Sequence, residues 1–351
     1  PRINYDANGE NGALLLEPSR TNLITFSEHL QSSYYGKTRC TIEDNSTTSP
    51  EGVINASKMT STDASESYIQ GNVTTTGTKI SWSFFAKKGD LDYAHGLVWS
   101  SPNGCRQWFN LSTGELGGTT TFGTGYSVDS ASIEDYGNGW YRCTMIVNCS
   151  AGTQGCRVNI SSADTTIGSA VNSYGYFYGL QAEASASYAS SYVPTYGSAV
   201  TRASDGTPLT PANTFSSLSS FTWYFELSRD VFGSGTPQDA ITLRNASGAE
   251  QIRIHFDTPN KYIRFRDALN SYSNIGTYHT LTANESVKCC LVSDGTNMKA
   301  FFNGAQSGSD YTIVTQPDVD RVYLNSKGFQ LSELIVFDSA LTDAECISLT
   351  S

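Results

Sequence analysis

Short β-like runs separated by turn residues recur along most of the chain, and this repetition constrains the fold more than any other feature. In the first half the runs are KISWSFFAKK (79–88), RQWFNLS (106–112), GWYRCTMIVNCS (139–150) and YGYFYGLQAE (174–183). Between them lie turn segments such as KKGD, SPNG and YGNG. Because no helical period separates the runs, the pattern predicts an all-β protein built as a sandwich or jelly roll.

A second series of such runs begins after a connector that is poor in aliphatic residues and rich in proline and hydroxylated residues (187–217). Its clearest members are FTWYFELS (221–228), EQIRIHFD (250–257) and LSELIVFD (331–338). The chain of 351 residues is also about twice the length of an ordinary domain. We therefore expect two tandem β-sandwich (jelly-roll) domains, residues 1–205 and residues 206–351.

Two local signals fall in the second half. The segment CCLVSDGTNMKAFFNG contains two strand-like runs joined through Asp-Gly-Thr-Asn, which predicts a hairpin. The final segment SALTDAECISLTS is the part that reads as helical, with Thr342 as the cap and Glu345 three residues later.

The net charge of −11 at pH 7 argues against two classes of partner. Nucleic-acid backbones and anionic membranes are repelled by an acidic protein at long range, so neutral or hydroxyl-rich partners are favoured. No stretch of about 18 apolar residues is present, and we expect no membrane insertion.

The eight cysteines have spacings that match neither a metal knuckle nor a small disulfide-stapled scaffold. Free cysteine is among the residue types most often buried in proteins. We expect mostly free, buried thiols, which suits assembly in a reducing cytoplasm.

The opening block PRINYDANGENGALLLEPSRTNLITFSEHL resembles one found in tail and other virion proteins of bacteriophages, where it introduces a carbohydrate-binding-module-like jelly roll. WSFFAKKGD, DYGNGWYRCTMIV and YGYFYGLQAEASASYASSYVPTYGSAVTRASD are similar to later blocks of that module. The second half is similar to the laminin-G and concanavalin-A-like lectin superfamily, through VSDGTNMKAFFNG and LNSKGFQLSELIVFDSALTDAE.

These resemblances imply a structural protein on the virion surface, as a tail fibre or a capsid or appendage decoration, assembled in the host cytoplasm. Its role would be host attachment or display through weak glycan binding. Its partners would be other virion proteins and host-surface glycans, in a homo-oligomer that is a trimer if the chain is a tail fibre. Two alternatives stay open: a purely architectural knob or spacer without a ligand, and a tail-associated polysaccharide depolymerase.

We expect no enzymatic activity. The four histidines, His29, His95, His255 and His279, are far apart and form no metal or nucleophile signature, so each is expected to have an ordinary surface or strand role. Glycoside hydrolysis would need two carboxylates about 5 to 9.5 Å apart, and nothing in the sequence marks such a pair. A cleft in which acids or imidazoles converge on one point would contradict this expectation.

Sugar binding requires exposed aromatic rings beside groups that bond hydroxyls. In the first domain the candidates are Tyr34, Tyr35, Trp99, Trp108, Tyr176 and Tyr178, with Gln107 and Asn110 as polar neighbours. Tyr34 and Tyr35 lie in a predicted loop. Strand alternation places Trp108 on the face opposite Gln107 and Phe109, so one of these two faces must belong to the core. For any single aromatic residue, packing in the core is the alternative.

Charged residues near the two ends of the first domain suggest structural charge pairs. Glu17 and Arg20 are expected to form a charge pair that fixes the N-terminal segment on the first domain. Arg202 and Asp205 are expected to fix the segment that leaves it. Contact of Glu17 and Arg20 with a ligand is the alternative.

A structural calcium ion is implied by the resemblance, because such jelly rolls and laminin-G domains often hold one with carboxylates and carbonyl oxygens. The candidate ligands are Glu28 and Glu183. The alternative is that both are solvated acids of an acidic protein.

Overall fold

The computed structural model describes residues 2–4, 12–205, 207–209, 220–228, 238–257, 262–282, 285–319, 321–325 and 329–351. Within these ranges the chain forms 28 strands and one short helix, and the prediction of an all-β fold is confirmed. The chain divides into two compact units, Arg20–Arg202 (the N-terminal unit) and Pro1–Ser19 together with Ala203–Ser351 (the C-terminal unit).

Numbered in chain order, the strands of the N-terminal unit are β3 (Arg20–Asn22), β4 (Gly36–Thr38), β5 (Cys40–Thr48), β6 (Ile54–Ser61), β7 (Tyr68–Thr75), β8 (Lys79–Lys88), β9 (Tyr93–Ser100), β10 (Asn103–Asn110), β11 (Glu115–Phe122), β12 (Ser127–Asp135), β13 (Trp140–Asn148), β14 (Gly152–Ser161), β15 (Tyr174–Ala184) and β16 (Val200–Arg202). Sheet I has the order β11-β10-β9-β14-β7-β4, and sheet II has the order β12-β13-β8-β15-β6-β5. The short strands β3 and β16 pair with each other.

The core of the N-terminal unit lies between sheets I and II. Trp82, Phe84 and Met145 from sheet II and Val98 and Val158 from sheet I belong to one buried apolar cluster. In the strands that contribute to this cluster, alternate residues face it, as expected for a sandwich. Every strand of both sheets therefore has an outer face, and the covering of these outer faces decides where a site can form.

The outer face of sheet II is covered in part by residues 186–196, which we call the strap. Gln181 in β15 holds the strap in place, because Gln181 Oε1 accepts a hydrogen bond from the Val193 amide at 2.7 Å. The Asn22 amide group donates to the Val193 carbonyl at 2.9 Å. These buried bonds fix the strap against the sheet.

The strands of the C-terminal unit are β1 (Arg2–Asn4), β2 (Ala13–Leu16), β17 (Thr207–Leu209), β18 (Phe221–Ser228), β19 (Gln238–Arg244), β20 (Glu250–Asp257), β21 (Tyr262–Asp267), β22 (Ser273–Thr280), β23 (Ser286–Ser293), β24 (Asn297–Phe302), β25 (Ala305–Gln306), β26 (Tyr311–Thr312), β27 (Arg321–Leu324) and β28 (Phe329–Phe337). Sheet III has the order β1-β2-β28-β18-β23-β24-β25, with β26 paired to β24. Sheet IV has the order β17-β27-β19-β20-β21-β22. A second apolar core, including Trp223, Phe225, Ile254 and Phe265, lies between them.

The first residues of the chain belong to the C-terminal unit because β2 pairs with β28, with Leu14 opposite Leu331. This differs from the expected division into residues 1–205 and 206–351, in which the opening block belongs to the first domain. The physical reason is that the apolar run ALLL supplies an additional strand to sheet III, a pairing that no local pattern reveals.

Both local predictions in the second half are confirmed. Strands β23 and β24 form the antiparallel hairpin. The helix α1 (Asp343–Thr350) begins after Thr342, whose side chain and that of Glu345 form a reciprocal capping box. No helix in the described ranges is long and apolar enough to cross a membrane.

All eight cysteines are free, and seven are buried, while Cys40 is partly exposed. Burial raises the pKa of Cys40 to about 11 and that of Cys105 to about 12, so neither thiol ionises readily at neutral pH.

We therefore expect at most one thiol of the native protein to react with a disulfide reagent within minutes at pH 8, and all eight to react after denaturation without reductant. The count of released thiolate measures both values. Rapid reaction of several thiols in the native protein, or fewer than eight after denaturation, would contradict the packing described above.

Candidate functional site

The outer face of sheet I carries aromatic, charged and amide side chains that we call the outer-face cluster. Its members are Glu66, Tyr68, Gln70, His95, Trp99, Arg106 and Arg157. Apart from Glu66, which precedes β7, they lie on β7, β9, β10 and β14 and alternate with core residues such as Ile69, Val98 and Val158. Strand alternation therefore turns them away from the core.

Arg157 occupies the middle of the outer-face cluster. Its guanidinium carbon lies 3.8 Å from the centre of the Tyr68 ring and 4.6 Å from the centre of the Trp99 ring. Gln70 Oε1 accepts hydrogen bonds from Arg157 Nε at 2.7 Å and from Trp99 Nε1 at 3.0 Å. One amide thus fixes both the guanidinium and the indole.

Three nitrogen-bearing side chains surround the Glu66 carboxylate. Glu66 Oε1 lies 3.7 Å from His95 Nε2 and 3.5 Å from Arg106 Nη2. Glu66 Oε2 lies 3.6 Å from Arg157 Nη1. Charge-assisted hydrogen bonds are usually about 2.7 to 2.9 Å long. The groups therefore attract one another at separations longer than direct charge-assisted hydrogen bonds.

Polar atoms at the centre of the outer-face cluster are buried without a hydrogen-bond partner. They are Glu66 Oε1, His95 Nε2 and Arg106 Nε. His95 is 0% exposed, and its Nδ1 lies 2.8 Å from Ser161 Oγ, which leaves Nε2 toward Glu66. Because buried polar groups are nearly always satisfied in folded proteins, this point is suited to an oxygen atom of a ligand or an ordered water molecule.

The local charge follows from the same contacts. Burial raises the pKa of Glu66, but His95, Arg106 and Arg157 lower it and together outweigh burial. Burial lowers the pKa of His95 and outweighs the opposing effect of Glu66, so the imidazole is neutral at pH 7. Arg106 and Arg157 contribute two positive charges and Glu66 one negative charge, which leaves a net charge of about +1.

This set of groups has the chemistry of a sugar site. The rings of Tyr68 and Trp99 are partly exposed and offer apolar surface to the C–H groups of a pyranose. The two guanidinium groups donate hydrogen bonds, and the Glu66 carboxylate accepts them, so sugar hydroxyls can be bonded in both directions.

The C-terminal unit has a surface cavity of about 230 Å³. It is lined by Glu226, Ser286, Lys288, Asn303, Thr350 and Ser351. Because no aromatic ring lines it, this cavity lacks the stacking surface of a sugar site, and the outer-face cluster is the stronger candidate.

Two glycines leave room for the indole of Trp99. Gly155 and Gly104 lie opposite Trp99 on the two neighbouring strands. A Cβ atom at Gly155 would lie 2.4 Å from Trp99 Nε1, and one at Gly104 would lie 2.6 Å from Trp99 Cβ. Any side chain at Gly155 would therefore displace the rigid indole ring.

We expect Gly155→Ala to shift the tryptophan fluorescence and to weaken ligand binding at least tenfold, while stability falls by only about 1 kcal/mol through loss of the Trp99–Gln70 hydrogen bond. Gly36→Ala is the matched control, because a Cβ there meets nothing closer than the Gln70 carbonyl at 4.0 Å. Equal fluorescence in both variants would show that Trp99 is not held as described.

The two tryptophans predicted to bind glycan have different environments. Trp99 belongs to the outer-face cluster. Trp108 faces the same side, but residues 162–168 cover it, and its Nε1 donates to the Thr166 carbonyl at 3.0 Å. Trp108 is 0% exposed, so it offers no ring face to a ligand. Its proposed neighbour Gln107 faces inward, and the Gln107 amide donates to the Gly117 carbonyl at 2.9 Å.

The four predicted tyrosines do not join the outer-face cluster. Tyr34 packs against the core, and Tyr35 is 3% exposed with its hydroxyl donating to the Phe26 carbonyl at 2.8 Å. The predicted loop therefore folds back onto the core. Tyr176 and Tyr178 lie on the outer face of sheet II, where Tyr178 is buried and Tyr176 is partly exposed.

Hydrogen bonds and strand pairing connect the four residues of the expected charge pairs across the entering and exit segments. Glu17 and Asp205 lie together, because the Glu17 amide donates to Asp205 Oδ2 at 3.1 Å and the Asp205 amide donates to the Glu17 carbonyl at 2.9 Å. Arg20 and Arg202 are opposite each other in the β3–β16 pair. The pairing of Glu17 with Arg20 and of Arg202 with Asp205 stays a prediction.

The two candidate calcium ligands have hydroxyl partners within the protein. Glu28 accepts from the Tyr192 hydroxyl at 3.0 Å and from the Tyr196 hydroxyl at 2.9 Å. Glu183 accepts from the Ser190 amide at 2.9 Å. Among the described residues, no group of three or more acidic, histidine or cysteine side chains could hold a metal ion.

Sequence reasoning missed Glu66, Tyr68, Gln70, Arg106 and Arg157. A usable signal existed for the two arginines, since each interrupts a run of core residues in the middle of a strand, as in GCRQW and GCRVN. A charged residue at such a position indicates an outer face that carries polar chemistry.

Comparisons with known proteins give likenesses of fold at low similarity. No protein-family model matches the chain, and no curated protein sequence matches it. A pentraxin of Limulus polyphemus is 14% identical over 40% of this chain and 73% of its own, with a TM-score of 0.32. The galectin LEC-6 of Caenorhabditis elegans is 14% identical over 38% of this chain and 90% of its own, with a TM-score of 0.28.

The sialidase of Trypanosoma rangeli is 12% identical over 84% of this chain, with a TM-score of 0.32, and the match spans only 60% of the sialidase chain. This finding contradicts the expectation that the chain has no enzymatic activity, which is withdrawn. At this TM-score the likeness assigns no activity to the chain.

Proposed function

We propose that the N-terminal unit binds glycans through the outer-face cluster, and that the chain acts in attachment or display at the surface of a virion. The observation that carries the glycan proposal is the guanidinium of Arg157 between the partly exposed rings of Tyr68 and Trp99, beside the unsatisfied polar atoms of Glu66, His95 and Arg106. Aromatic faces beside donors and acceptors are what sugar recognition requires.

The position on a virion is supported by the sequence resemblance of the opening block and of the later blocks of the first half to phage tail and virion proteins. Weak sites of this kind become effective in several copies, because linked sites raise the effective concentration of ligand. A homo-oligomer on a particle would provide those copies. Antibody labelling of particles in electron micrographs tests the proposed position on a virion. An absence of label on the particles would contradict that position.

A glycan array probed with the full chain tests the binding function. We expect retention of a set of hydroxyl-rich glycans by the wild type and at least tenfold weaker retention by Arg157→Gln, which removes one charge and the stacked guanidinium. Lys58→Gln is the control, since Lys58 lies over the Tyr174 ring on sheet II, away from this face. Equal retention by all three proteins would contradict the proposal.

The array should be followed by an assay for reducing ends on every glycan that is retained. Hydrolysis of a bound polysaccharide releases reducing ends, so this assay separates depolymerisation from attachment alone. Release of reducing ends would change the proposed role from attachment to depolymerisation at the same site.

A further inference from the structure

We infer that the outer face of sheet IV, in the C-terminal unit, is a second binding surface, specific for carboxylate or sulfate groups on an acidic polysaccharide. Its described charged side chains are Arg244, Arg253, Arg264, Arg266, Arg321, Asp239 and Glu250. Among the described side chains of this face, five arginines against two carboxylates leave a net charge of about +3, in a chain whose total charge is −11. This surface is distinct from the outer-face cluster.

Arginines occupy opposed positions on two neighbouring strands of this face. Arg253 in β20 is directly opposite Arg266 in β21, and His255 is directly opposite Arg264. Like charges at opposed positions of a sheet are destabilising. Burial lowers the pKa of Arg266, and the nearby Arg264 and Arg253 lower it further. A bound anion would relieve this repulsion.

The described carboxylates form ion pairs with only some of these arginines. Arg253 Nη1 lies 2.7 Å from Asp239 Oδ2, and Arg244 Nη2 lies 3.1 Å from Glu250 Oε1. Among the described residues no carboxylate lies within ion-pair distance of Arg264 or Arg266. Arg266 Nε donates to the Tyr272 carbonyl at 2.8 Å, which leaves the terminal nitrogens of Arg266 and of Arg264 available to an external anion.

Unsatisfied buried atoms occur on this face as well. Arg253 Nε, Arg264 Nε and His255 Nε2 are buried and have no hydrogen-bond partner. His255 is 5% exposed, and its Nδ1 lies 2.8 Å from Asp239 Oδ1. The imidazole is therefore held in place with one ring nitrogen unused. Three unused nitrogens on one face suit a ligand rich in acceptor oxygens.

Tyrosine rings support the same guanidinium groups. The Tyr272 ring centre lies 4.2 Å from the Arg253 guanidinium carbon and 5.4 Å from that of Arg266. The Tyr262 ring lies 5.1 Å from that of Arg264 and stacks on Tyr278, which is 58% exposed. Exposed rings beside guanidinium groups favour a sugar that carries a planar acid group over an isolated inorganic anion.

The turn that presents Tyr272 is strained. Ser271 and Tyr272 have φ values of 50° and 58°, at the two central positions of a turn closed by the Ser273 amide bonding to the Asn270 carbonyl. Asn-Gly is the pair that suits these positions, and residues with side chains are disfavoured there. Backbone strain of this kind is commonly retained where the strained residue takes part in binding or catalysis.

A dense polyanion is a poorer match than an acidic polysaccharide. Double-stranded DNA carries one charge per about 1.7 Å, and the acidic remainder of the chain would repel it. A polysaccharide with one acid group per sugar places fewer charges along the surface. Its hydroxyl groups can also meet the tyrosine rings.

Isothermal titration of the full chain at low salt tests the inference, with polygalacturonate as the carboxylate probe, dextran sulfate as the sulfate probe and neutral dextran as the blank. We expect binding of at least one acidic probe and none of neutral dextran, with affinity that falls as salt is raised. Binding of only the carboxylate probe, or of only the sulfate probe, identifies the acid group that the surface recognises. Absence of binding to both, or equal binding of neutral dextran, overturns the inference.

Arg264→Gln/Arg266→Gln should weaken binding at least tenfold. Circular dichroism should show an unchanged fold, because neither arginine has an ion-pair partner among the described residues and the variant loses one exposed hydrogen bond, from Arg266 Nε to the Tyr272 carbonyl. Lys288→Gln/Lys299→Gln removes the same charge from sheet III and should keep the wild-type affinity. Equal losses in both double variants would indicate non-specific electrostatic attraction and overturn the inference. Tighter binding of double-stranded DNA than of either acidic polysaccharide would also overturn it. Trp99→Ala should bind the acidic probe normally, which separates this surface from the outer-face cluster.

Ser271→Asn/Tyr272→Gly gives an independent readout. It should raise the melting temperature by relieving the turn and lower the affinity for the acidic probe several-fold by removing the Tyr272 ring. Unchanged affinity in this variant would overturn the assignment of Tyr272 to the surface.

Discussion

Replacing Glu183 by alanine is expected to destabilise the N-terminal unit by about 3 kcal/mol, which corresponds to a fall in melting temperature of roughly 6 to 12 °C. Glu183 is 1% exposed and accepts hydrogen bonds from the Ser190 amide at 2.9 Å and the Ser190 hydroxyl at 2.5 Å. The Ser190 carbonyl accepts in turn from Arg142 Nη2. Alanine would leave the Ser190 amide and hydroxyl without their buried acceptor and would open a cavity at this point.

Glu183→Gln is the matched control, because its carbonyl oxygen still accepts from Ser190. Burial raises the pKa of Glu183, although Ser190, Arg142 and Arg20 oppose the shift. The ionised form therefore opposes folding. The protonation-dependent part of its contribution to stability is complete below its unfolded pKa of about 4.3 and is lost as pH rises through its higher folded pKa, while the hydrogen bonds from Ser190 persist at every pH.

Thermal unfolding of the three proteins from pH 4 to pH 8 measures both effects. Relative to wild type, Glu183→Gln should become progressively more stable as pH rises, while Glu183→Ala should be the least stable of the three at every pH. A Glu183→Ala protein that melts with the wild type would mean that the strap does not depend on this network.

The strap illustrates what the sequence could and could not predict. The segment SYASSYVPTYGSAVTRASDG reads as a polar connector, and its lack of strand pattern is correct for most of its length. Its role in covering sheet II depends on Gln181 and Glu183, which bond it back onto the strand it has just left, and on Asn22, which is 171 residues from Val193. Periodicity reports which face of a strand is apolar, and it contains no information on which loop covers the other face.

The same limit explains the candidate site. Alternation placed Trp108 opposite Phe109, and the structure confirms that Phe109 belongs to the core. The burial of Trp108 on the outer side comes from residues 162–168, which fold over it. Gln70 and Arg157 are 87 residues apart, and only the pairing of β7 with β14 brings them together. Pairing between distant strands is set by the whole fold, so the cluster could not be assembled from local patterns.

Replacing Trp99 by alanine is the second large change, with glycan affinity expected to fall about thirtyfold, the usual effect of removing an aromatic anchor worth about 2 kcal/mol. The indole supplies a partly exposed ring, donates to Gln70 Oε1 at 3.0 Å and lies beside the Arg157 guanidinium. Its loss removes stacking surface and frees both neighbours to move.

Tyr176→Ala is the control for this variant, because Tyr176 is also a partly exposed aromatic residue predicted to bind glycan, but it lies on the outer face of sheet II. We expect it to retain wild-type affinity for any glycan identified on the array, measured by titration at constant salt. Equal losses in the two variants would point to a general effect on folding, and an undiminished affinity in Trp99→Ala would remove sheet I as the binding face. A loss confined to Tyr176→Ala would transfer the site to sheet II, beside the strap.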